Sequence, residues 1–116
     1  MSLQESINFS DYNVALLSTL TDNLGDLLIH CHFGVYVDHL SQIRLSAEKK
    51  EEDIFKTHVI SATLFGSSGA LWEIWIEDDQ KRKEFEKRFC DFVDHLIKMG
   101  IKNPRIKQIR EDFITN

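Results

Sequence analysis

The chain is poor in residues that break or staple a fold. Among 116 residues it has one proline, Pro104, and two cysteines, Cys31 and Cys90. A single proline leaves few forced interruptions, so helices are permitted along most of the length. Two cysteines without a C-x-x-C spacing supply neither a disulfide framework nor a thiolate metal cluster. Both lie in apolar stretches, the usual setting of a buried free thiol. No apolar run reaches the roughly 18–20 residues of a membrane span, so no membrane association is expected. The opening residues MSLQESINFS lack a basic region followed by an apolar core. That predicts no secretory signal and a cytoplasmic location. Cations are also scarce: 14 Lys and Arg stand against 19 Asp and Glu, a net charge of −5. Nucleic-acid binding rests on cations that displace counterions, so direct nucleic-acid binding is not expected.

What is present suits one soluble globular domain over residues 1–116, with 42% hydrophobic and 28% charged residues. The stretch NFSDYNVALLSTLTDNLGDLLIHC reads as a helix. Ser10 is placed as its N-cap, with Phe9 and Val14 as a hydrophobic staple. Leu17, Leu20, Leu24, Leu27, Leu28 and Cys31 recur at steps of three and four, which puts them on one face. A second helix is expected over FGVYVDHLSQIRLSA, after a break near Gly34. QKRKEFEKRFCDFVDHLIKMG is the clearest helix. Asp78 or Asp79 caps it, Phe85, Phe89, Phe92, Val93 and Leu96 form its stripe, and Gly100 is its left-handed stop. NPRIKQIREDF restarts with Asn103 as N-cap and Pro104 in the first helical position.

The segment DIFKTHVISATLFGSSGALWEIWIEDD decides the fold class. HVISATLF and ALWEIWIE are rich in strand formers and flank GSSG, which fits a β-hairpin over 58–77. The same residues also fit a long buried helix, with Phe55, Val59, Ala62, Phe65, Gly69, Trp72 and Ile76 on one stripe. We take the helix, because it explains a second stripe through Ile60, Leu64, Leu71 and Trp75 and suits its helical neighbours. The expected fold is all-α, a bundle of about five helices; the alternative is α+β, with the hairpin packed on helices.

Candidate chemistry is sparse. His30-Cys31-His32 resembles a metal pair, but residues two apart on a helix diverge by about 200°. No second ligand pair follows, so no metal or other cofactor is expected. GSSGA, from Gly66 to Ala70, has its second glycine one residue early for a nucleophile elbow. No catalytic residue is therefore assigned. The stretch KNPRIKQIR is read as a solvated helix face. The aromatic set is more informative. Phe33, Tyr36, Phe55, Phe65, Trp72 and Trp75, beside His58, are either core or the wall of a mostly apolar small-molecule pocket. From these, Tyr36, His58, Phe65, Trp72 and Trp75 are the candidate ligand-binding residues. Phe85, Phe89, Phe92 and Val93 are placed at core or interface.

Two resemblances follow from these pieces. TDNLGDLL, HFGVYVDHLSQI, SATLFGSSGALWEIWIEDD and FEKRFCDFVDHLI stand in an order that resembles the C-terminal domain of TetR-type transcriptional regulators. Phe65-Gly66 and Trp75-Ile76 match best. That resemblance implies an all-helical domain that binds a small hydrophobic ligand and forms a homodimer through its last two long helices. The family's DNA-reading head has no counterpart in this chain. Arg88 and His95 resemble the R-x4–6-H motif of HEPN ribonucleases, although Phe89 replaces the polar residue usual after the Arg. A third reading, a small protein-binding module of the immunity or inhibitor type, suits an acidic domain with no catalytic set. It is the reading that a hairpin over 58–77 would favour.

Overall fold

The computed structural model describes residues 6–66 and 69–113. The described residues form helices and turns, with no strand among them. Six helices follow in order: α1 (Asp11–His30), α2 (Val37–Glu48), α3 (Glu52–Val59), the single turn α4 (Ala62–Phe65), α5 (Asp79–Met99) and α6 (Pro104–Asp112). Short 3-10 turns stand at Gly34–Tyr36 and Leu71–Glu73. The all-α bundle read from the sequence is therefore the fold.

Helix starts follow local chemistry. Ser10 accepts from the Asn13 amide, Asp78 from the Lys81 amide, and Asn103 from those of Arg105 and Ile106. Each satisfies amides that the helix itself leaves without acceptors. Three helix ends share one device. After α1 the Phe33 amide donates to Leu28 O at 2.7 Å and the His32 amide to Ile29 O at 3.2 Å. This is a Schellman turn. The same pair of bonds recurs after α2 and after α5. The left-handed residue is His32 (φ 67°) in the first turn, Lys50 (φ 58°) in the second and Gly100 (φ 123°) in the third.

Only Gly100 is a glycine. A side chain in this conformation costs about 1–2 kcal/mol, and glycine returns about 0.5–1 kcal/mol of that as chain entropy. His32→Gly and Lys50→Gly should each stabilise the fold by about 0.5–1 kcal/mol. Thermal melts of the single variants are the check, and a fall in Tm would contradict this reading of the turns.

The core lies where α1 and α5 pack together. The pair is antiparallel: His95 bonds the Asn13 carbonyl and Arg88 the Asn23 carbonyl. Leu17, Leu24 and Leu28 of α1 meet Phe85, Phe89, Phe92, Val93 and Leu96 of α5 in one buried cluster. α2 packs on both α1 and α3. α6 folds back along α5, with Phe113 5.3 Å from Phe89 and Arg110 paired with Asp94 at 2.7 Å.

Two readings of residues 55–77 are corrected. Neither the hairpin over 58–77 nor one long helix forms. α3 stops at Val59, α4 lasts one turn, and the chain is non-helical at Gly66. Ser61 turns to extended backbone (φ −68°, ψ 158°), which ends the helical run. A Cβ at Gly66 would lie 2.5 Å from the Ala62 carbonyl, so the chain turns there on a residue without one. Of the apolar stripe, Phe55, Val59, Phe65 and Ile76 are buried, by several short elements instead of one, while Ala62 and Gly69 are exposed.

Candidate interaction surface

The five aromatic and histidine positions expected at a pocket take up four different settings. Phe65 is core and packs 6.0 Å from Phe89. Tyr36 and Trp72 bond the backbone at Gly69 and Gly66, the two ends of GSSG. Tyr36 Oη donates to Gly69 O at 2.6 Å, and Trp72 Nε1 donates to Gly66 O at 2.6 Å. Burial raises the Tyr36 phenol above its ordinary value, which keeps it protonated as the donor. Arg105 closes the turn from α6. Its Nε donates to Phe65 O at 3.1 Å, its Nη2 to Gly66 O at 3.1 Å, and its guanidinium stands 5.6 Å from the Trp72 ring. Arg105 is thus a clamp, not merely part of a solvated face. Ser67 and Ser68, the residues of a nucleophile-elbow reading, lie outside the described residues.

His58 belongs to a separate cluster. Its ring meets His39 edge-on at 5.4 Å, and His39 Nε2 lies 2.7 Å from the His58 carbonyl and 2.9 Å from Ser61 Oγ. A carbonyl can only accept, so Nε2 must carry the proton. It is then no base for the Ser61 hydroxyl, and this pair holds α2 to the end of α3. His95 is spent in the same way. It is 4% exposed, and its Nε2 donates to Asn13 O at 2.9 Å. Arg88 donates to Asn23 O at 2.6 Å and to Glu84. The Arg88–His95 pair therefore ties α5 to α1. His30 ends α1, while His32 sits beyond it in the left-handed turn. Among the described residues no group of three or more His, Cys, Asp or Glu is placed to hold a metal.

Trp75 stands apart, since the residue is 66% exposed. It is held, not loose: the Arg82 guanidinium lies 4.2 Å from the centre of its ring. Arg82 in turn donates to Ile76 O at 2.7 Å and to Asp79. Cation–π stacking and these bonds fix the cation, and the cation fixes the indole. Glu73, Glu77, Asp78 and Asp79, all exposed, lie within four positions of Trp75 in the chain. The sequence marked Trp75 but not Arg82, because Arg82 falls on the polar side of the α5 stripe. The usable signal was an Arg one helical turn past an N-cap that follows an aromatic loop.

The open cavities lie elsewhere. One, of 410 Å³, runs between α1 and α5 over Leu16, Leu20 and Ile97. A second, of 510 Å³, shares Ile97 and continues over Ile101 and Pro104. A third, of 320 Å³, shares Ile101 and reaches Ile60. None of the five expected ligand residues lines these three. No helix among the described residues is long and apolar enough to cross a membrane. Compared with protein-family models, curated proteins and solved structures, the chain gives no significant match.

Proposed function

We propose that this domain is a protein-binding module and that Trp75, with its surrounding carboxylates, contacts a basic partner. The single observation that carries this is an exposed indole fixed in place by Arg82. Exposure leaves most of the ring's apolar area available for a partner. Fixing it beforehand removes the ordering cost that a loose side chain would bring to binding. Trp and Arg are also the residue types that dominate interface energetics. Acidic neighbours steer a basic partner and reject an acidic one.

Affinity capture with the full chain as bait should recover one stoichiometric, basic protein. Trp75→Ala should weaken that complex by at least about 30-fold, about 2 kcal/mol, without lowering the Tm. Capture that survives Trp75→Ala unchanged would refute this surface.

The ligand-sensing and dimerisation reading is the second proposal. The all-helical fold favours it, and so does the apolar 510 Å³ groove beside α5 and α6. Against it, Tyr36, Phe65 and Trp72 are committed to packing and to the turn, and the expected long helix is broken. A small apolar molecule retained in native mass spectrometry, together with a dimer by sedimentation, would restore it over the protein-binding reading.

A further inference from the structure

The three cavities beside α5 form one trough, because adjacent ones share Ile97 and then Ile101, Lys102 and Asn103. Its floor begins on α1. Tyr12, Leu16 and Leu20 recur every four residues, a second apolar stripe beside the buried one through Leu17, Leu24 and Leu28. Leu16 and Leu20 line the trough and are half-buried, while Tyr12 is exposed and stands outside its lining. The floor continues over Ile97 and Ile101 to Pro104 and Ile60.

The trough's charge is opposite to that of the whole chain. Lys56, Lys98, Lys102 and Lys107 line it, against the carboxylates Asp91 and Asp94. Both carboxylates are already matched, Asp91 by Lys87 at 2.9 Å and Asp94 by both nitrogens of the Arg110 fork at 2.7 and 3.1 Å. Lys56 is likewise matched, by Glu52 at 2.9 Å, so Lys98 and Lys107 set the local potential in a protein whose net charge is −5.

We propose that this trough receives an amphipathic helix of a partner protein, apolar on one side and acidic along its flanks. Charge complementarity selects the acidic flank. Backbone chemistry selects the helix. A peptide that docks by strand addition needs an unpaired strand edge, and the described residues contain no strand. A helix satisfies its own backbone and needs only a seam between side chains, which the antiparallel α1 and α5 supply. Along α5 the trough at Ile97 lies about 22 Å from Arg82, at about 1.5 Å per residue, so it is separate from the Trp75 surface.

The test uses the full chain carrying Trp75→Ala, so that the outcome does not depend on the Trp75 surface. The probe is a labelled Leu/Glu amphipathic peptide of about five turns, and its Leu/Lys counterpart is the control. Binding is read by anisotropy and located by amide shifts in two-dimensional NMR. The Leu/Glu peptide should shift the amides of Ile97, Ile101 and Lys107 and bind at least about tenfold more tightly than the control. Lys98→Glu with Lys107→Glu should reverse that preference, and Leu16→Asp should weaken both peptides while the melt stays cooperative. Equal binding of the two peptides, or shifts confined to other amides, would overturn the proposal. So would phosphatidylserine vesicles shifting the trough amides when neither peptide does, since that would make it a membrane-facing surface.

Discussion

Replacing Phe89 with alanine should destabilise the fold by about 3–5 kcal/mol, the range for deleting a large buried ring. Phe89 is 0% exposed and is the hub of the aromatic core. Its ring centre lies 5.6 Å from Phe85, 6.0 Å from Phe65 and 5.3 Å from Phe113. Three elements besides α5 itself depend on it: α4 through Phe65, the end of α6 through Phe113, and α1 through the shared core. The space left by the ring cannot be filled by one local shift, because its neighbours belong to separate segments. Domains of this size have about 5–15 kcal/mol in total, so the variant should be measurably unfolded at room temperature if the wild type lies near the lower end. Urea unfolding followed by circular dichroism gives the difference directly. A loss below about 1 kcal/mol would mean that this ring is not the hub described.

The second large effect concerns Gly100. Gly100→Val should cost about 2–5 kcal/mol, combining a left-handed backbone with overpacking. Here φ is +123°, which L side chains rarely adopt. A Cβ at this position would lie 3.0 Å from the Ser6 carbonyl and 3.5 Å from Ile7. Those atoms belong to the segment that Asn8 pins to α5 by donating to Met99 O at 2.8 Å. The substitution should therefore release the N-terminal segment as well as strain the α5 stop. Hydrogen exchange should show lost protection at the Asn8 amide together with the lower Tm. If the Tm fell while that amide stayed protected, the strain would be confined to the α5 stop.

The sequence was most legible where period and punctuation agree. α5 has a clean stripe, a cap at Asp78 and a stop at Gly100, and it begins and ends where those residues predict; α6 begins where Asn103 and Pro104 predict. Residues 55–77 were less legible because a helical stripe records which residues are buried, not whether one helix buries them. Phe55, Val59, Phe65 and Ile76 are all buried, yet they belong to α3, α4 and an extended segment. Ser61 and Gly66 were the breaks, and each is tolerated inside a helix often enough to be read through. The candidate surface was half legible. Trp75 was named for its aromatic character but expected in a pocket. Its actual setting depends on Arg82, whose bond to Ile76 O exists only after the loop has met the first turn of α5. Arg105 was missed for a similar reason, since its acceptors lie 40 and 39 residues earlier in the chain.

Those same bonds impose an order of events in time. The α1–α5 ties span 65 and 82 residues, so the first helix can pack on α2 early but meets α5 only after most of the chain has been synthesised. Local helices form quickly, while contacts between distant segments wait on loop closure. The turn at Gly66 waits longest, because the guanidinium that closes it arrives with α6. On the ribosome, the segment leading to Trp75 is therefore secured only at the last stage of folding.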